Sequence, residues 1–496
     1  MLLNYLRLPR RSALKTDSLI SKIQATRQQK RYHDGGLAGL VLICIILLTA
    51  VDVSAQQEET REINLNEAVE LALERNINVK QAINNLERND ASVRQAYGNF
   101  LPDLNASGGL NRSVGRQFNQ ATVEFNEFTQ NSINGNLSTS IPIFTGWRNI
   151  SNLRAAKTDR EASQNEYERL REDTIFQTAS EFLQIILNKE LLKIAEDNLE
   201  TSRQQLEQVE AQVEVGMRPV VDQFNQEAEV ASSELQVIER QNQLTASKVR
   251  MMRILQLDAF GEYEFTTPDI DTDAIIPEDF DLRELVSVAL DSRRDIKTSE
   301  LNIEAAEYGL TAARSGYLPS LSFNANISSS YSDQYRLRTP DPATGQLVTE
   351  TVGFSDQFFD QRINRGLGLS LSIPIFDRFQ TRTSVINSKI DIKNARLGLE
   401  DQRSLVFQEV RQALEDYKTI SQELVATQTQ LRAAERAFET QQERYNVGSS
   451  TLLELTQAQN GFVQASSQRI QAVYQFMFQE KLLDYYLGKI NENISF

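Results

Sequence analysis

The 496 residues contain one histidine (His33), one cysteine (Cys44) and one tryptophan (Trp147). His33 and Cys44 both fall in the first 55 residues, which carry the marks of a cleaved signal peptide. Leu37 to Val51 is apolar and uncharged, about the length of a signal-peptide core and short of the roughly 20 residues that a membrane helix needs. Eight Lys and Arg precede it, and Val53-Ser54-Ala55 supplies small residues at the cleavage positions. Cleavage after Ala55 is expected, with a mature chain from about Gln56. That chain has no disulfide, no thiol nucleophile, no imidazole base and no His or Cys metal ligand. Most hydrolase and metalloenzyme mechanisms are thereby removed, and no catalytic residue, metal or cofactor is expected.

Positive charge is also in short supply. Without residues 1–55 the chain holds 44 Lys and Arg against 65 Asp and Glu, a formal charge of −21. Nucleic acid is excluded as a partner, because phosphate binding needs a basic face. So many acids on helices also produce carboxylate pairs by chance, and these read as solvated faces rather than acid–base dyads.

Only 10 Pro and 21 Gly are present, which favours long uninterrupted helices. From Trp147 to Val213 there is neither residue, and from Gln380 to Val447 only Gly398. Each stretch predicts a helix of roughly 65 residues, about 100 Å at 1.5 Å per residue. Val410, Tyr417, Leu424, Leu431, Phe438 and Tyr445 recur every seven residues, the period of a coiled-coil seam. Ile185, Leu192, Leu199, Leu206 and Val213 repeat that column 232 positions earlier. Both columns run into a glycine turn, at 215–219 and 446–451, and return helices are expected over 219–257 and 451–488.

The chain is an internal duplication. Residues 63–99 and 280–316 align at an offset of 217 without a gap, and each copy predicts one helix of about 33 residues ended by Leu-Pro. The period then changes to two. Ile133, Leu137, Ile141 and Ile143 alternate with Asn134, Asn136, Ser138 and Ser140; Leu367, Leu369 and Leu371 alternate with Gly368 and Ser370. Strands are expected at about 104–114, 131–143, 320–331 and 363–375, with polar loops at about 115–132 and 332–362. The strand length suits a tilted transmembrane strand. Four such strands cannot close a barrel, and an open apolar sheet leaves bare edges, so closure through several subunits is expected. Phe144, Trp147, Phe376 and Phe379 cluster after the Ile-Pro-Ile-Phe words that end each second strand, as aromatics do at a membrane interface. Residues 258–279 carry no Lys or Arg and read as a crossover, with a short strand near Tyr263–Phe265.

The order of these features, their spacing and their duplication resemble the TolC-like outer-membrane efflux factors over about 63–490. The resemblance implies an α+β membrane protein with two repeats, 63–257 and 280–490, each helix-strand-strand-helix-helix. It implies a homotrimer whose twelve strands form one β-barrel in outer-membrane lipid, above a long α-helical barrel in the periplasm of a Gram-negative bacterium. Function would be passive efflux or secretion, not catalysis, driven by an inner-membrane pump of the RND or ABC type through a periplasmic adaptor (membrane fusion) protein. By this resemblance the tips Val215-Gly216-Met217 and Val447-Gly448-Ser449 dock on the adaptor. Tyr445 matches a tyrosine of the closed periplasmic entrance, and Asp222 an entrance aspartate bonded to the opposing helix pair. Glu454 falls where the first acid of an axial carboxylate ring sits. Ser450 and Gln457 depart from the pattern, at the positions of a gate arginine and of the second ring acid. The same residues have plainer readings: Gly216 and Gly448 as left-handed turn residues, Tyr445 as the last knob of its seam, Asp222 and Glu454 as first-turn acids. The alternative class is a periplasmic coiled-coil scaffold without transport activity, which leaves the four strands unexplained.

Overall fold

The computed structural model describes residues 61–120, 123–266 and 278–492. The signal peptide with its cleavage site, and the centre of the crossover with Pro268 and Pro277, lie outside the described residues.

The chain begins with β1 (Arg61–Ile63), α1 (Leu65–Arg75) and α2 (Ile77–Gly98), followed by β2 (Asn105–Asn119) and β3 (Glu124–Phe144). The first long helix α3 (Arg148–Glu214) returns as α4 (Val220–Ile254), and β4 (Tyr263–Phe265) ends the copy. The second copy runs α5 (Leu282–Ser292), α6 (Arg294–Arg314), β5 (Ser320–Ser332), β6 (Arg336–Pro340), β7 (Leu347–Thr351), β8 (Asn364–Ser372), α7 (Gln380–Asn446) and α8 (Leu452–Tyr486). The long helices α3 and α7 have 67 residues each.

The opening helix of each copy is broken in two, where the sequence predicts one piece. In the first copy Asn76 leaves the helical region (ψ 128°), and its side chain accepts a hydrogen bond from the Asn78 N–H at 2.8 Å, capping α2. An Asn favours this because its carboxamide competes with the helical ladder for nearby N–H groups. At the equivalent break Arg293 turns its guanidinium inward, between Asp295 and Glu409, both at 2.6 Å.

The sheet differs from expectation at its loops. β2 and β3 extend through most of 115–132, pairing continuously from Asn105↔Ser138 to Asn119↔Glu124. The 332–362 connection is not plain loop: β6 pairs with β7, and a helical turn follows at Phe354–Gln361. β8 stops at Ser372, so its Ile-Pro-Ile-Phe word lies beyond the strand, whereas β3 runs through the matching word to Phe144. Pro142 is tolerated there because β3 has no β2 partner beyond Ser138, so one side of the strand needs no N–H donor.

The four strands form one antiparallel sheet in the order β2-β3-β5-β8, and β2 and β8 are its edges. Register puts Leu137 beside Ile327 and Phe323 beside Leu369, so the apolar residues share one face. Apart from the part around Gly135 and Tyr331 that the Phe354–Gln361 turn covers, that face is bare: Leu110 is 82% and Leu367 80% exposed. The small parallel pair β1–β4 instead closes over the main core, where Ile63 and Phe265 are buried with Phe182 from the middle of α3 and Met251 from the end of α4. Among the described residues no helix is long and apolar enough to cross a membrane.

Candidate functional site at the hairpin tips

Both long helices end in the same backbone device. Gly216 (φ +73°) follows Val215, with Gly216 N–H donating to Val213 C=O and Met217 N–H to Gln212 C=O. Gly448 (φ +76°) follows Val447 with the equivalent bonds to Tyr445 and Arg444. This pair of bonds closes a helix C-terminus and needs a left-handed residue, which glycine adopts without strain. A Cβ at either glycine would meet no atom within 4 Å, so backbone angle and not space selects the residue.

The return helices start differently. Pro219 precedes α4 without a side-chain cap, its ring fixing φ at −66°. Thr451 caps α8 in a full capping box: its hydroxyl accepts from Glu454 N–H, and the Glu454 carboxylate accepts from Thr451 N–H at 3.0 Å. Ser450 Oγ donates to the same carboxylate at 2.8 Å. The Thr451 N–H is the largest influence holding the Glu454 carboxyl below the usual glutamate range, followed by the Ser450 hydroxyl.

Between the tips Tyr445 is buried at 4% exposure, in a small cluster with Val209, Leu452 and Leu455. The Arg218 guanidinium lies over its ring at 4.5 Å, donates to Gln212 Oε1 at 2.5 Å, and pairs with Asp222 at 3.3 Å. Burial pushes the Tyr445 hydroxyl up, Arg218 partly offsetting it, and that hydroxyl has no hydrogen-bond partner. Asp222 therefore bonds within its own hairpin, to the turn that precedes α4, and it is Arg218 that spans the two hairpins. Ser450 and Gln441 hydrogen-bond to each other beside Glu454.

Arg218 was not singled out in the sequence, although a basic residue four positions before Asp222 was a visible signal. Also missed was an apolar collar next to the tips: Val221, Phe224 and Leu453 are 59–68% exposed, alongside Val215, Met217 and Val447 at 68–79%.

Behind the tips the hairpins meet through amides. Gln459 of α8 donates to Asn198 at 2.8 Å and to Ser202 at 3.2 Å, and accepts from Gln205 at 2.8 Å. Gln226 of α4 donates to the Ser202 carbonyl at 3.1 Å. The most buried line of α3 here is Ala195, Asn198, Ser202, Gln205 and Val209, mostly polar and beside the apolar column that the heptads picked out. Satisfied buried amides fix the register of packed helices more sharply than apolar contacts do. Among the described residues no group of His, Cys, Asp or Glu could hold a metal ion.

The outer membrane efflux protein family matches residues 68–255 and 285–489, one match on each copy of the duplication. The pyoverdine export outer membrane protein OpmQ of Pseudomonas aeruginosa is 24% identical over 423 residues, covering 82% of this chain and 81% of its own. The outer membrane protein TolC of Escherichia coli is 20% identical over 403 residues, covering 81% and 77%. Among solved structures, the CmeC outer membrane channel of Campylobacter jejuni is similar in fold, with a TM-score of 0.70, 20% identity and 87% of both chains covered.

Proposed function

Because the chain belongs to the outer membrane efflux protein family, we propose that it is the passive outer-membrane duct of a tripartite efflux or secretion system. Its place is the outer membrane, as for its relatives, which are outer-membrane export and channel proteins rather than enzymes. Substrate would be delivered by an inner-membrane RND or ABC pump through a periplasmic adaptor. The sheet carries this reading. Its apolar face is largely bare and both edge strands, β2 and β8, lack an outer partner. An open edge and an exposed apolar face are each a liability for a single chain. Joining β8 of one subunit to β2 of the next removes both. Two chains would give eight strands, whose interior side chains fill; three give twelve and leave an aqueous passage. The polar face of Asn and Ser would then line the lumen.

At the other end of the helices, Val215, Gly216, Met217, Val447, Gly448 and Ser449 form the adaptor-docking tips, helped by the exposed collar of Val221, Phe224 and Leu453. Tyr445 and Asp222, held by Arg218, form the periplasmic entrance with Glu454. Native mass measurement in mild detergent, followed by planar-bilayer recording, tests the duct. Three copies and an open-channel current are expected; a stable membrane-inserted monomer overturns the reading.

A further inference from the structure

Between the main core and the sheet, α2, α3, α6 and α7 pack side by side in that order. One cavity of about 540 Å³ touches all four helices. A hollow shared by four neighbours of a single layer lies on the concave side of that layer. Two acids of α3 mark which side this is. Glu166 and Asp173 line the cavity, sixteen and nine residues before Phe182, whose ring meets Phe265 of β4 edge-on. At about 100° per residue both point away from the β1–β4 pair. The concave side becomes the lumen when three chains close into a barrel.

Some of the charges around the cavity are already paired. The Arg169 guanidinium pairs with Glu172 and Asp173, each at 3.2 Å, and lies over the Tyr485 ring at 4.2 Å. Glu166 has no ion-pair or hydrogen-bond partner among the described residues. Arg169 and Tyr485 both approach Oδ1 of Asp173, which leaves Oδ2 for a further donor. Thr298 of α6 lines the same cavity at 8% exposure, and its Oγ1 is buried without a partner. Such a hydroxyl is destabilising unless something outside the chain supplies its hydrogen bond. The side-chain amides of Asn78 and Asn85, on the α2 wall, are likewise unpaired. Leu170 also lines the cavity, four residues after Glu166 and three before Asp173, so α3 presents acid, aliphatic chain and acid along one face. Seven residues set the two acids about 10 Å apart.

We propose that this cavity binds an organic dication of the α,ω-diamine type, its two ammonium groups on Glu166 and Asp173 and its methylene spacer along Leu170, with Thr298 accepting a further N–H. An ammonium carries three donors and no acceptor, and each of the unpaired groups named above can accept. An anion would meet no unpaired cation, because Arg169 is held by Glu172 and Asp173. The spacing selects for length: a diamine too short to span two helical turns reaches one acid and leaves the other unpaired. The site is complete within one chain, so a trimer holds three. Its role as a resting place for cationic cargo in the lumen rests on the duct proposed above.

Calorimetric titration of the full chain in mild detergent is the test, with uptake by protein-free micelles subtracted. It compares the eight-carbon α,ω-diamine with the four-carbon one, equal in charge but shorter, and with the uncharged eight-carbon diol. One eight-carbon diamine per chain is expected, bound about tenfold more tightly than the four-carbon diamine, with no measurable diol binding. Glu166→Gln should abolish that preference. Thr298→Val, which deletes the unpaired hydroxyl, should weaken diamine binding severalfold without lowering the melting temperature. Equal affinity of the wild type for the two diamines, which a diffusely acidic wall would give, overturns the inference. So does a length preference unchanged in Glu166→Gln, or binding unchanged in Thr298→Val. Failure of the wild type to form trimers or pass current overturns the duct instead, and the calorimetry still decides the diamine site.

Discussion

Arg218 of the first hairpin lies over the ring of Tyr445 in the second, 4.5 Å from its centre, while pairing with Asp222 of its own hairpin. One cation thus ties two hairpins at the tip of the helical region. It does so although Ser450 occupies the position from which the resemblance would have supplied an arginine. A cation over a buried aromatic face is worth about 1–2 kcal/mol when desolvated. Arg218→Met should keep the packing and lose the tie, raising single-channel conductance and open probability. Asp222→Ala, which frees Arg218 without removing it, should do the same more weakly. Conductance unchanged in Arg218→Met would take Arg218 out of the entrance.

The tips themselves give a second expectation. Gly216 and Gly448 hold positive φ, so alanine there should cost roughly 1 kcal/mol through the backbone alone. Loss of export in a glycine variant would therefore mix strain with docking. Met217 and Ser449, which follow the left-handed residues, separate the two. With Met217→Asp and Ser449→Asp combined, trimers should form normally while cross-linking to the adaptor and export are lost. Full export in that variant would count against docking at the tips.

The duplicated frame was readable because glycine and proline are rare enough for each to carry meaning. The two Val-Gly turns marked where helices reverse, and Ile-Pro-Ile-Phe closed β3 and lay just beyond the end of β8. Three features were not readable, for a common reason. The breaks at Asn76 and Arg293 interrupt otherwise helix-compatible stretches; Asn76 caps locally, but the Arg293 break is revealed only by a tertiary partner, Glu409, which reaches it from 116 residues away. The amide line of Asn198, Ser202 and Gln205 looks like a solvated face until Gln459 is seen bonding to all three. The aromatic turn at Phe354–Phe359 sits in a stretch whose polarity says loop, and its seat depends on the absence of a side chain at Gly135.

Arg293 yields a stability prediction. Its side chain is 2% exposed between Asp295 and Glu409. Replacing it with methionine fills the space but leaves two carboxylates without their cation, and removing one member of such a group costs about 3 kcal/mol or more. The acid limb should change as well. Burial alone would raise the Asp295 carboxyl, but the hydrogen bond and charge of Arg293 bring it below the usual aspartate range. A depressed native pKa stabilises above the unfolded value near 3.9 and loses that contribution as pH falls through the lower native value. Arg293→Met should therefore melt earlier near neutral pH, with the gap to wild type narrowing below about pH 4. Melting curves by helical circular dichroism between pH 2.5 and 7 check both; a pH-independent gap would mean that packing, not charge, is what was lost.

Glu454 gives the last prediction, because two of its features pull in opposite directions. Within one chain its carboxylate closes the Thr451 capping box and accepts from Ser450, which lowers its pKa. In a threefold duct three copies would face one axis near the entrance, and mutual repulsion would raise their apparent values. The ring would focus a negative potential on the opening and favour cations. Glutamine separates cap from charge, since Gln serves in a capping box as well as Glu does. Glu454→Gln should therefore leave trimer stability unchanged while weakening cation preference and cation block in planar bilayers. The pH dependence of the wild-type reversal potential reports which feature dominates. If capping prevails, cation preference persists below the ordinary glutamate range and disappears only as pH falls through the lowered value. If repulsion prevails, it fades above that range. Cation preference identical in wild type and Glu454→Gln would remove this residue from the ring and leave it a helix cap.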